Sequence, residues 1–267
     1  MPSLRIFSYL PNPRIWKATI AGRLTGVEVE IRGATPDALK DWLWDFDARP
    51  LTQEDRSDAS LARAPRAGFK ETLYKTDAFL DAHPFGTVPA AFSPDGAVGI
   101  FESNSIMRAV ARLAGPESDL YGRDPYEASR IDSFLDAALV FARDAQLYLF
   151  ALGDRTVDAA VHGRIASAFA AFLGGVERAL TPARPFILGD RLTLADICFA
   201  AELCLFSNER VRHAVLSEKG LSPILGAALE AQYPRASAHF AGLVRHPAFA
   251  PDMEPYLAKI EAAAGRA

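Results

Sequence analysis

Two short stretches that alternate apolar and polar residues, "LRIFSY" at 4–9 and "VEVEI" at 27–31, bracket one segment of helical length, "NPRIWKATIAGRLTG". In that segment Asn12 stands as an N-cap, Pro13 occupies the first helical position, Ile15, Ala18, Thr19 and Gly22 fall at helical spacing, and Gly26 supplies a stop. A crossover of this size joins strands that lie parallel, so the first thirty residues predict a β-α-β unit. Further on, apolar runs at 88–92 and 98–101 flank the turn Pro94-Asp95-Gly96, and Ile106, Val110 and Leu113 share one face of a helix over 104–113. The amino-terminal part therefore reads β-α-β followed by β-β-α.

Between these halves, residues 32–68 turn polar and lose any sustained period. They predict a surface excursion, partly helical over 38–46, and "FKETLYKTDAFLDAHP" predicts a short helix before Pro84. From about residue 119 only helical periodicity is present. Ile131, Phe134, Leu135, Ala138 and Leu139 form one stripe, and Ile165, Phe169, Phe172 and Val176 another. Thr193 and Asp196 stand at capping-box spacing, with Leu192 and Ile197 at the staple positions. The Gly-, Pro- and charge-rich "GPESDLYGRDP" marks a boundary, giving a mixed α/β domain over 1–114, with an insertion at about 32–68, and an all-α domain over 120–267.

Composition narrows the partners. Half of the 267 residues are hydrophobic, enough for a sizeable core. The net charge of -4 comes from 29 basic and 33 acidic residues without a basic block, which speaks against nucleic acid and anionic membrane. The first residues lack the apolar stretch of a signal peptide. The richest apolar run, "ICFAAELCLF", is short and broken by Glu202, so no membrane span is expected. Cys198 and Cys204, six apart on a helix, point about 120° away from each other, as reduced core thiols of a cytoplasmic protein would. The five histidines show no metal-ligand spacing, and no metal site is expected.

The stretch "HPFGTVPAAFSPDGAVGIFESNSI" carries the chemistry. A cis bond at Val88-Pro89 would leave the Val88 backbone facing outward, able to pair with an extended peptide; the same dipeptide also serves elsewhere as a plain turn device. Glu102 leaves the second strand, and Ser103 is expected at the N-cap of the next helix, so an ammonium acceptor and an anion site stand side by side. That pairing suits the head group of an amino acid.

Taken together, "HPFGTVPAAF", "FESNSI", "IFSYLPNPRIWKATIAGRLTG" and "FILGDRLTLADICFA" resemble the glutathione S-transferase family, nearest to the transferase-like domain of the gamma subunit of translation elongation factor 1B. The resemblance implies a thioredoxin-like domain followed by a helical bundle, usually as a homodimer. It implies glutathione held by Val88 and Pro89 at its cysteinyl part and by Glu102 and Ser103 at its γ-glutamyl head, with a small apolar or aromatic electrophile as second substrate. It also makes the Thr193–Asp196 box a folding element.

A glutathione thiol needs a donor beside it to ionise at neutral pH. Asn12 and Ser8 are the residues offered for that; Asn12 can also be a plain N-cap, Ser8 can instead face the core as a strand residue, and Tyr9 is one place off. No cysteine precedes Cys198, so mixed-disulfide chemistry of the cysteine-type transferases is disfavoured. Lys70, Lys75 and His83 are candidates for the glycyl carboxylate, and "WLWDFD" is expected to pack on the second domain rather than cover an acceptor pocket. Phe134, Phe141, Tyr148 and Phe150 are offered either as lining for that pocket or as core. The competing function is a non-catalytic interaction module like the elongation-factor subunit. The lack of an appended domain or charged tail before Ala267 weighs against it.

Overall fold

A computed structural model of the protein describes residues 3–65, 69–226 and 228–265. It divides into two units, Met1–Glu117 and Ser118–Ala267. In chain order the first contains β1 (Leu4–Tyr9), α1 (Pro13–Thr25), β2 (Val29–Ala34), a 3-10 turn (Pro36–Asp41), β3 (Trp42–Trp44), β4 (Arg49–Pro50), α2 (Gln53–Ser57), β5 (Ala62–Arg63), β6 (Leu73–Lys75), α3 (Asp77–Ala82), β7 (Ala90–Phe92), β8 (Gly99–Phe101) and α4 (Ser103–Leu113). The second contains α5 (Pro125–Gly153), α6 (Ala159–Ala179), α7 (Leu194–Phe206), a 3-10 turn (Ser207–Arg212), α8 (His213–Glu218), α9 (Leu229–Gln232), α10 (Pro234–Val244) and α11 (Ala250–Ala264).

The main sheet has the order β2-β1-β7-β8, with β1 and β2 parallel and β7 antiparallel to both its neighbours. Helix α1 begins as the sequence predicts, because the Asn12 side chain accepts from the Arg14 N–H at 3.0 Å and Pro13 has no amide to satisfy. It ends where Gly26 turns left-handed (φ 76°) and returns its N–H to the Gly22 carbonyl. Val27 and Glu28 serve as the exit from that turn, so β2 starts two residues later than the alternation suggested.

The excursion is more ordered than its composition predicted. It forms a second sheet, β4-β3-β6-β5, and the helix expected over 38–46 is a short 3-10 turn followed by the strand Trp42–Trp44. Bulky aromatics favour a pleated, half-buried surface, and β3 finds a parallel partner in β6 through Leu43↔Tyr74 and Trp44↔Lys75. Likewise "FKETLYKTDAFLDAHP" splits into the strand β6 and the short helix α3. The far end of the excursion, at Gly68, lies outside the described residues.

The two sheets share one core. Phe7 of β1 meets Trp44 edge-on at 5.4 Å, and Trp44, fully buried, contacts Phe69 and Phe79. "WLWDFD" therefore packs on the first sheet of its own unit. Its alternating aromatics bury against Phe7 and Phe92, while Asp47 turns outward to Arg5 and Arg32.

In the second unit Phe141 stacks on Phe172 at 4.9 Å and meets Phe206, while Tyr148 donates to the buried Glu209 at 2.6 Å. Glu209 also accepts the N–H groups of Ile224 and Leu225, tying a loop to the bundle. Phe141 and Tyr148 are thus core residues, whereas Phe134 is half-buried beneath Arg130 and Phe150 is exposed. Contrary to the sequence reading, α6 is long and apolar enough by length and composition to cross a membrane. Here it buries Ile165, Phe169, Phe172, Leu173 and Val176 in the bundle.

Candidate functional site

The register of the main sheet brings the sequence-predicted residues to one end of it. Ala90 pairs with Phe101 at the end of the β7–β8 ladder, with Val88 and Pro89 just before β7 and Glu102 and Ser103 just after β8. On the other side Phe7 pairs with Ala90, the last pair between β1 and β7, and Ser8 and Tyr9 end β1 beyond it. All of these lie where β1 hands over to α1 and β8 to α4.

The Val88–Pro89 bond is cis, as is Leu10–Pro11. Val88 lies before the start of β7, and its N–H and C=O have no backbone partner among the described residues. Glu102 is exposed and adopts φ 66°, ψ 121°, a left-handed conformation that non-glycine residues rarely take. It holds the N-cap position of α4 without a side-chain bond, so Ser103 is the first helical residue and not the cap that was expected. The cause is visible in the backbone: the Glu102 carbonyl already accepts the first intrahelical bond, from Ile106 at 3.0 Å. Strain of about 1–3 kcal/mol at an exposed polar residue is a mark of a functional site.

Ser103 is half-buried, and its Oγ accepts from the Lys17 Nζ at 3.2 Å. Lys17 is itself buried and also donates to the buried Asn104 Oδ1 at 2.8 Å. Sequence reasoning passed over Lys17. A lysine among apolar residues on the inner face of α1 was the available signal.

Asn12 and Ser8 are brought together, but inside the unit. Both are fully buried, and Asn12 Nδ2 donates to Ser8 Oγ at 3.0 Å while its Oδ1 caps α1. Gly33, paired with Ser8, lies so close that a Cβ there would sit 1.7 Å from the Ser8 carbonyl oxygen. Asn12→Ala removes the cap and leaves the Ser8 hydroxyl unpaired, so we expect a loss of about 2 kcal/mol in chemical denaturation. Ser8→Ala in the same background should add less than it costs alone.

The residues considered for the glycyl carboxylate are differently placed. Lys75 is buried, with Nζ 2.5 Å from the Gly86 carbonyl and 4.2 Å from the Trp44 ring centroid. His83 is buried and stacked on Phe101 at 4.9 Å, and Lys70 is exposed. Burial, reinforced by the Lys75 ammonium, holds the His83 imidazole below its ordinary value of 6.5. The unfolded chain then takes up a proton near pH 6.5 that the folded chain takes only at lower pH. Stability is therefore full above that pH and falls as pH drops through the window beneath it. Thermal midpoints between pH 7.5 and 5 should decline in the parent and decline less in His83→Phe.

No family model matches the chain. Curated relatives do. It is 33% identical over 122 residues to elongation factor 1-gamma of Trypanosoma cruzi, covering 45% of this chain and 28% of that protein. It is 25% identical over 200 residues to the glutathione S-transferase-like protein FUS3 of Gibberella moniliformis, covering 74% of each. Among solved structures, a glutathione transferase family member from Pseudomonas fluorescens with two glutathione molecules bound superposes with a TM-score of 0.63. The identity there is 17%, and the match covers 94% of this chain and 92% of that one. The chain has the glutathione transferase fold. In sequence it is similar to glutathione S-transferase-like proteins and to elongation factor 1-gamma, and it spans little more than a quarter of the trypanosomal factor's length.

Proposed function

We propose that this chain is a glutathione S-transferase that attacks a small apolar or aromatic electrophile through bound glutathione, by conjugation or by ether cleavage. The observation that carries the reading is the strained Glu102 beside Ser103, which follow β8 at the same end of the hairpin where Val88 and the cis-linked Pro89 lead into β7. The carboxylate and the hydroxyl suit the ammonium and carboxylate of a γ-glutamyl head. The Val88 N–H and C=O suit the cysteinyl part, paired as an added strand. The tripeptide supplies the nucleophilic sulfur; the chain supplies its orientation. The same reading carries a cytoplasmic location and a homodimer; the exposed apolar side chains Leu139, Val140, Leu147 and Phe150 along α5 support the homodimer.

The second reading is a non-catalytic, glutathione-transferase-like interaction module resembling the elongation-factor subunit, and one observation is compatible with it. Asn12 and Ser8 are committed to each other, and the Arg14 N–H at the start of α1 is taken by Asn12. Retention on immobilised glutathione, followed by turnover assays on aromatic halides and aryl ethers, separates the two. Retention with turnover supports the transferase, and retention without turnover supports the module. A protein that passes straight through and shows no thermal shift with millimolar glutathione contradicts the transferase reading.

A further inference from the structure

We infer that Lys17 is a positioning residue for recognition of the γ-glutamyl carboxylate, acting through the Ser103 hydroxyl. This inference rests on the glutathione reading above and names a residue that the reading does not use. An ammonium has three donors and no acceptor, whereas a serine hydroxyl has one donor and two lone pairs. With Lys17 Nζ donating to Ser103 Oγ at 3.2 Å, that oxygen is engaged as an acceptor and its single proton must point elsewhere. The same ammonium also donates to the adjacent Asn104 Oδ1, at 2.8 Å.

The hydroxyl proton is thus left to donate outward from the first turn of α4. There it acts beside backbone N–H groups that have no intrahelical acceptor. Donors aimed outward at a helix N-terminus select an anion over a neutral amide. Burial of both Lys17 and Asn104 fixes this orientation before any ligand arrives, so little ordering is left to be done on binding. Replacing Lys17 by a residue without donors frees Ser103 to turn its proton inward, toward Asn104 Oδ1, and the subsite loses its preference for a carboxylate.

The test is calorimetric titration of the full chain with glutathione and with the analogue whose γ-glutamyl α-carboxylate is a carboxamide. The parent is expected to prefer glutathione by roughly tenfold or more. Lys17→Met should lose most of that preference, and Lys17→Gln, whose amide still donates, should keep more of it. Ser103→Ala leaves the Lys17–Asn104 bond in place and should lose the preference to the same extent, which keeps the test decisive if Lys17→Met does not fold. A merely structural lysine would weaken both ligands equally and leave the ratio unchanged. An unchanged ratio in Lys17→Met, or in Ser103→Ala, overturns the inference while glutathione binding stands. Absence of glutathione binding by the parent overturns the glutathione reading itself.

Discussion

Asp196→Ala is expected to lower the unfolding free energy of the chain by about 4 kcal/mol in urea denaturation, the largest effect of any single substitution considered. The carboxylate is fully buried and accepts from four donors on three segments. Oδ2 takes the Thr193 N–H at 2.8 Å and the Thr193 hydroxyl at 3.1 Å, closing the capping box at the start of α7. Oδ1 takes the Ile187 N–H at 3.0 Å and lies 2.8 Å from His239 Nε2 on α10. Truncation leaves buried donors without acceptors, which costs more than the bonds themselves contributed. Thr193→Ala, which removes only the hydroxyl half of the box, should cost about 1 kcal/mol. If the two variants unfold at the same urea concentration, Asp196 is a cap and nothing more.

The second large effect is on binding. In Glu102→Gly with Ser103→Ala, affinity for glutathione should fall by about a hundredfold, because the variant lacks both groups that suit the zwitterionic head. Stability should move the other way at Glu102. Its φ of 66° is a conformation that glycine adopts freely, so Glu102→Gly alone should leave the fold as stable as the parent or up to about 1 kcal/mol more stable. A loss of function accompanied by unchanged or raised stability is what a strained binding residue predicts. Loss of both together would make Glu102 a structural residue of α4.

Much of the architecture was legible because local chemistry and tertiary packing agree. Asn12, Pro13 and Gly26 delimit α1, the crossover length sets β1 and β2 parallel, and the Thr193 and Asp196 pair opens α7, each through bonds made within a few residues. The second sheet was illegible for the opposite reason. Its strands are two or three residues long, too short to show a period, and β3 finds its partner β6 some thirty residues away. Burial of Trp44 against Phe7 and Phe79 favours that pairing.

The candidate site was legible in part. Val88 and Pro89 precede β7 and Glu102 and Ser103 follow β8, so the antiparallel hairpin leaves them at one end of the sheet. Ser8 was ambiguous because a strand residue faces one side or the other, and one place in the alternation decides between core and site. The buried contact from Lys17 to Ser103 joins residues far apart in the chain, and no local pattern announces it.

The most direct test of the whole account is calorimetric titration of the chain with glutathione, in parallel with the variant carrying Glu102→Gly and Ser103→Ala. The account predicts a saturable heat for the parent and a loss of most of it in the variant, with both proteins folded by circular dichroism. No heat in the parent, or equal heats in the two proteins, would contradict it.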